Sequence, residues 1–290
     1  MRVTLIHNPS AGLDGLDGIA LASLMLSAGY HVRQQSRKSK SFPAALSEPA
    51  DLIAVAGGDG TVITVIDRLP PQAPPIAIIP AGNANNIANS LGIGGRPQEI
   101  IAAWEGAERR KLDCWEAHGP WGVRLIVEGV GLGALADIMA KHKRGHRKFS
   151  VEEARTHLRE RLDKQRARAA RLRLDDKRIE GEFVLLEILN FPMVGPRAAL
   201  APDADPFDGT LDVVCVRPED HDLVCAWLDA GGGPPPIAAK RARDVTLTWE
   251  DGPVHLGDKI WEESSTPPWT MTMRRARSVD ILTPPLRALR

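Results

Sequence analysis

Val3 to His7 is a short apolar run that ends in a turn-rich stretch. The same arrangement returns at Asp51-Leu-Ile-Ala-Val-Ala56 and at Pro75-Ile-Ala-Ile-Ile79. Apolar runs that do not alternate suit strands buried on both faces, as in a parallel sheet covered by helices. Helical spacing fills the gaps. Residues 17–28 can place Ile19, Leu21, Leu24, Met25 and Ala28 on one broad face, with Gly29 as the stop. Tyr30 to Gln34 reads as another strand. Helices are predicted at 61–69, 84–91 and 97–105, the last with Pro97 near its start. Residues 1–112 therefore read as a doubly wound α/β domain.

The pattern changes from about residue 113. Trp115 to His118 and Trp121 to Val127 flank Gly119-Pro120, a hairpin signature. Further strand-like runs lie at 183–189, 211–216, 245–249, 254–261, 269–273 and 279–282. Residues 113–290 are expected to form a mostly β, sandwich-like domain. A basic helical insertion at about 141–178 interrupts it. Its helix opens at Ser150 with Glu153 three residues on, a capping-box pattern, and its narrow apolar stripe is Val151, Ala154, Leu158, Leu162, Ala169 and Leu172.

Composition narrows the classes. At 290 residues, 43% hydrophobic and 26% charged, the chain is globular rather than disordered. Lys+Arg and Asp+Glu tie at 37, yet residues 141–178 hold 15 basic against 6 acidic residues. That local excess points either to peripheral contact with an anionic membrane surface or to a solvated helix face. No aromatics interleave with these charges, so nucleic acid is not the expected partner. Three cysteines, Cys114, Cys215 and Cys225, form no C-x-x-C pair and are expected to be buried and inert. No run reaches the roughly 18 apolar residues of a membrane span. Met1-Arg2-Val3-Thr4 runs straight into a strand pattern, so the expectation is a cytoplasmic protein without a signal peptide.

The candidate chemistry sits where the strands of the first half end: Asn8-Pro9-Ser10-Ala11-Gly12, Gly57-Gly58-Asp59-Gly60-Thr61 and Pro80-Ala81-Gly82-Asn83-Ala84-Asn85-Asn86. The carboxyl ends of strands form the ligand crevice of an open α/β sheet. Glycines let backbone N–H groups approach an anion, and a following helix adds its positive end. Nucleotide phosphates are the expected ligand. Gly12, Gly57, Gly58, Gly60 and Gly82 would shape the cradle, and Asn8, Ser10, Thr61, Asn83 and Asn85 would supply neutral donors. Asp59 suits phosphates only if it organises Mg²⁺ or accepts a proton from an attacking hydroxyl.

These three elements resemble the diacylglycerol kinase catalytic family, which includes sphingosine and ceramide kinases and the soluble bacterial lipid kinases. The family's N-P-x-S-G element matches Asn8 to Gly12, with Ala11 in place of Ser. Its G-G-D-G-T loop is intact at Gly57 to Thr61, and Pro80 to Ala88 matches its third element with Asn83 in place of Thr. Asp208-Gly-Thr-Leu-Asp212 is similar to the family's D-G-x-L-D segment, and Leu256-Gly257-Asp258 is the best match to its D-G-E.

The resemblance implies an α/β nucleotide domain followed by a β-sandwich lipid-side domain, with the active site in the cleft between them. It also implies ATP and Mg²⁺ as cofactors and a lipid hydroxyl, such as that of diacylglycerol, as the acceptor. Asp59 and Asp258 would be catalytic, and Asp59 and Asp208 would serve metal ions. A homodimer paired at exposed sheet edges leaves no motif and stays open. Ile63, Thr64, Asn83 and Asp258 depart from the family's pattern. They keep a second reading in play, a nucleotide- or lipid-binding regulator with the kinase fold and weak or no catalysis. An NAD kinase-like enzyme is the third.

Overall fold

The computed structural model describes residues 1–11, 17–142, 150–262 and 266–285, and the first 112 residues alternate strand and helix. In order they form β1 (Arg2–His7), α1 (Gly18–Ser27), β2 (His31–Ser36), α2 (Phe42–Ala45), β3 (Leu52–Gly57), α3 (Asp59–Asp67), β4 (Ile76–Pro80), α4 (Asn86–Ser90) and α5 (Pro97–Ala102). The strands pair in parallel in the order β2-β1-β3-β4. Every residue of β3 and the first four of β4 are buried, as expected for a sheet covered on both faces. Asp17 caps α1 by accepting from the backbone N–H groups of Ile19 and Ala20, each at 2.9 Å. The buried stripe of α1 is narrower than expected. Leu21 and Met25 face inward, whereas Ile19 is 68% exposed.

The second half contains β5 (Glu108–Gly119), β6 (Gly122–Ile126), β7 (Gly129–Gly133), α6 (Ala134–His142), α7 (Val151–Asp163), β8 (Arg168–Leu174), β9 (Lys177–Phe183), β10 (Leu185–Leu189), β11 (Leu211–Val216), α8 (His221–Asp229), β12 (Lys240–Ala242), β13 (Val245–Trp249), β14 (Val254–Leu256), β15 (Lys259–Trp261) and β16 (Trp269–Thr283). Strands β16, β13, β8 and β9 form one antiparallel layer and β12-β11-β10-β7-β14-β15 another. Alternate residues of both layers meet in a single core. They include Leu186 and Ile188, Val130 and Leu132, Leu172 and Leu174, and Leu247 and Trp249. Within that core Trp121, Trp249, Trp261 and Trp269 stack with ring centroids 5.4 to 6.1 Å apart. The other face of the six-stranded layer, carrying Leu185, Leu189, Val214 and Val216, is covered by apolar residues of α6, α7 and α8.

Several expectations are corrected here. The long helix stops at Asp163, and Ala169 and Leu172 belong to β8. Residues 168–174 bury Ala170, Leu172 and Leu174 and turn Ala169, Arg171 and Arg173 outward, a period of two set by pairing with β13 and β9. Residues 164–178 are therefore largely part of the sandwich, not a helical insertion. The run 254–261 is a hairpin, and 269–273 and 279–282 merge into the single strand β16. Helix α8 was not anticipated. The division into compact units assigns residues 1–112 and the segment from Ser278 to one unit, and residues 113–277 to the other. The second domain thus ends before 290, because Ile281 of β16 pairs in parallel with Ile76 of β4.

Buried polar groups fix the register of the sandwich. The fully buried carboxylate of Glu187 meets His255 Nε2 at 2.7 Å. Both residues flank Gly131 in the sheet, where a Cβ would lie 2.3 Å from the Glu187 carboxylate. Only glycine leaves room for that pair. Asn190 is equally hidden. Its Oδ1 accepts from Trp115 Nε1 at 2.9 Å, and its Nδ2 donates to the carbonyls of Asp113 (3.0 Å) and Val127 (2.8 Å). Asn190→Ala strands a buried indole N–H and removes the donor to two buried carbonyls, so a destabilisation of about 3 kcal/mol is expected in urea unfolding.

Candidate functional site

The ladder of the parallel sheet brings the three loops together. His7 pairs with Ala56, and Gly57 with Pro80, so β1, β3 and β4 end side by side. The Asn8 N–H donates to the Ala56 carbonyl at 2.9 Å and the Ala81 N–H to the Gly57 carbonyl at 3.0 Å, extending the ladder into the loops. The second and third loops then touch through glycine. A Cβ on Gly82 would stand 2.5 Å from Gly58 Cα, and one on Gly58 would stand 2.9 Å from Gly82 Cα. No side chain fits at either position without separating the two loops.

Asp59, the first residue of α3, locks this contact. Its Oδ2 accepts from the Asn86 N–H at 2.9 Å and its Oδ1 from the Ile87 N–H at 3.0 Å. One carboxylate thereby caps the neighbouring helix α4. The first two N–H groups of that helix are thus committed to Asp59. A carboxylate fixed in this way is the oxygen donor type that Mg²⁺ takes, directly or through water.

The remaining expected donors divide by geometry. Asn85 adopts a left-handed φ of 50° and bonds Gly82 twice, its Oδ1 accepting from the Gly82 N–H and its Nδ2 donating to the Gly82 carbonyl, both at 2.8 Å. It shapes the loop instead of facing outward. Thr61 is buried against Gly57, where a Cβ would lie 2.5 Å from its Oγ1. Asn83 and Ser10 are exposed, Asn8 is half-buried, and Asn8 Oδ1 accepts from the Ser10 N–H at 3.2 Å. Gly12 lies outside the described residues. One residue was missed by sequence reasoning: Lys38 Nζ donates to Ser10 Oγ. Lys38 sits in the turn after β2, and only the β1–β2 register, which pairs His7 with Ser36, brings it to the first loop. It supplies a positive charge that the three motifs lack.

The two expected residues of the other unit have separate surroundings. Asp208 closes a turn, its Oδ1 accepting from the N–H (2.9 Å) and hydroxyl (2.6 Å) of Thr210, while its Oδ2 pairs with Arg241. That charge is matched by Arg241. The turn is anchored from beneath by fully buried Asp113, whose Oδ2 accepts from the Gly209 N–H at 2.7 Å and whose other oxygen pairs with Arg275. Asp258 is exposed at the second position of the β14–β15 turn, with Leu256 paired to Lys259.

Four arginines of the basic segment meet carboxylates. Arg161 and Arg168 pair with Asp137, Arg159 with Asp163 and Asp229, and Arg171 approaches Glu250. Residues 143–149 lie outside the described set. No helix among the described residues is long and apolar enough to cross a membrane.

Gly82→Ala forces the loops apart, and a loss of about 2 kcal/mol is expected in thermal unfolding. Asp212, buried in β11, has its carboxyl pushed up to about 6 by burial, with Asp203 adding to the shift. Arg241 Nε stands 3.9 Å away, beyond hydrogen-bond reach. The folded state keeps a proton that the unfolded chain releases, so this group makes stability fall as pH rises from about 4 to about 6. Asp212→Asn should flatten that interval and raise stability at neutral pH by up to about 3 kcal/mol, as read from urea unfolding across the pH range.

Comparison with known proteins matches this architecture. Residues 2–117 match the family model described as the diacylglycerol kinase catalytic domain. The diacylglycerol kinase of Bacillus subtilis is 26% identical over 232 residues, covering 74% of each chain. The crystal structure of a diacylglycerol kinase from Bacillus anthracis strain Sterne superposes over 98% of this chain and 97% of its own, with a TM-score of 0.73 and 20% identity. An NAD kinase from Archaeoglobus fulgidus in complex with ATP shares the fold more distantly, with a TM-score of 0.55 and 16% identity over 99% of this chain and 95% of its own. All three strand-end motifs lie inside the segment that matches the diacylglycerol kinase catalytic domain, and the chain is similar to diacylglycerol kinases and lipid kinases.

Proposed function

We propose that the protein transfers the γ-phosphoryl group of ATP to a hydroxyl of diacylglycerol or a related lipid. The observation that carries this reading is the closure of the Gly58 and Gly82 loops by Asp59 at the ends of β3 and β4. It makes a rigid, glycine-walled surface beside the start of α3, where phosphates gain from oriented N–H groups. Gly57, Gly58, Gly60 and Gly82 allow close approach of the phosphates. Asn8, Ser10 and Asn83 present donors, and Lys38 adds charge. Mg²⁺, when bound, neutralises the transferring phosphate. Asp59, held by two N–H donors, is a fixed anion that suits ordering the ion and its waters. Proton acceptance from the lipid hydroxyl is assigned to Asp59 or to the exposed Asp258. Asp208 serves its turn and its pair with Arg241.

A second reading is favoured by the β14–β15 hairpin. Leu256-Gly257-Asp258, the best match to the family's D-G-E, spans this turn with Leu256 in place of the Asp and with Asp258, one methylene shorter than Glu, exposed. Ile63 is buried and the Thr64 hydroxyl donates to the Gly60 carbonyl at 2.6 Å, so these two departures from the family's pattern serve local structure. A nucleotide-binding regulator with slow or no transfer accounts for both features.

The test is incubation with γ-labelled ATP, Mg²⁺ and lipid in mixed micelles, followed by separation of the organic phase. The kinase reading expects a labelled lipid, reduced about 100-fold or more by Asp59→Ala. ATP binding in calorimetry with no labelled lipid would replace it by the regulator reading. Label on NAD instead of lipid would support the NAD kinase-like alternative.

A further inference from the structure

Outside the strand-end loops, Asp163, His221 and Cys225 bring a carboxylate, an imidazole and a thiol to one place, with their ligand atoms all within 4.8 Å of one another. We propose that these three side chains form a binding site for a divalent transition-metal cation, with zinc as the best chemical match, that ties the end of α7 to the first turns of α8.

His221 and Cys225 stand four residues apart on α8, so their side chains are neighbours on one face. Cys225 Sγ lies 3.4 Å from His221 Nε2, and His221 Nε2 lies 3.3 Å from Asp163 Oδ1. Zinc bonds of about 2.0–2.1 Å to nitrogen or oxygen and about 2.3 Å to sulfur, in tetrahedral geometry, place neighbouring ligand atoms roughly 3.3–3.6 Å apart. The two pairs already have that spacing.

The surroundings complete the arrangement. The other ring nitrogen of His221, Nδ1, lies 2.9 Å from Asp222 Oδ1. A proton on Nδ1 shared with that carboxylate leaves the Nε2 lone pair facing Cys225 and Asp163, which is the usual outer-shell support of a metal-bound histidine. Arg159 pairs with Oδ2 of Asp163 and with Asp229 at 3.1 Å, fixing the carboxylate while Oδ1 stays turned toward His221. A mixed sulfur, nitrogen and oxygen set selects zinc over Mg²⁺ or Ca²⁺. Cys225 is buried while His221 is partly and Asp163 well exposed, so an ion can arrive from solvent and keep a water as fourth ligand. On binding, the Cys225 thiol gives its proton to solvent as the metal–sulfur bond forms. A thiolate and a carboxylate then balance the two charges of the ion.

The experiment uses the untagged full chain, stripped with a chelator and titrated with zinc against a chromophoric competitor, and in parallel with cobalt. One equivalent of zinc per chain is expected, together with a thiolate-to-cobalt charge-transfer band and a higher Tm when zinc is present. Cys225→Ser and His221→Ala should remove the band and the Tm increase. Asp222→Asn should weaken zinc at least about 10-fold while leaving the band. Should Cys225→Ser not fold, Cys225→Ala and His221→Gln provide the same readout. Absence of stoichiometric zinc, a cobalt spectrum without thiolate character, or binding undiminished in the His221 variants would each overturn the site.

Discussion

Asp59 accepts hydrogen bonds from two backbone N–H groups that belong to a different loop, and this cross-connection sets the geometry of the strand-end surface. Charge-assisted bonds of this kind contribute about 1.5–3 kcal/mol each. They act here between two segments that also touch through Gly58 and Gly82. Neither feature suffices alone. Without the glycines the loops could not approach, and without the carboxylate the start of α4 would leave its N–H groups without an internal acceptor. The residue to which we assign a role in phosphoryl transfer is therefore also a structural clasp. A loss of activity on its removal has to be read beside a stability measurement.

The second unit solves a different problem with similar means. A sandwich core built from alternating apolar residues specifies which face points inward, but leaves register to be set by features that a slipped pairing would break. Glu187 and His255 meet only across Gly131, and Asn190 serves one indole and two carbonyls at once. Asp113 holds the Asp208 turn from below. Such buried polar groups make every alternative register leave an unmatched charge or donor. The outer helices then carry chemistry at their ends: Asp137 gathers Arg161 and Arg168, and α7 and α8 bring together the carboxylate, imidazole and thiol of the proposed metal site.

Much of the first domain was legible because its strands are buried on both faces, so their apolar runs, and the glycine and asparagine loops that follow them, stand out without knowledge of any partner. The sandwich was legible mainly as strands. Its least readable stretch was 164–178, where Arg-rich alternation on β8 mimics the spacing of a polar helix until β9 and β13 are placed beside it. Helix α8 was hidden by a short, mixed sequence whose buried face, Val224, Cys225, Trp227 and Leu228, is defined only by the layer it covers.

Local sequence determined what each strand end carries: glycines for close approach, Asp59 at the start of a helix, and asparagines that can turn the chain. It could not determine which side chains spend their hydrogen bonds on the protein itself. Asn85 looks like a ligand in the sequence and instead bonds Gly82 twice, Thr61 is packed against Gly57, and Lys38 carries no motif yet reaches Ser10 through strand register. Cys225 looked like an inert core residue until α8 set it beside His221. Hydrogen-bond partners separated by tens of residues depend on how strands pair and helices pack, and only the tertiary structure decides that.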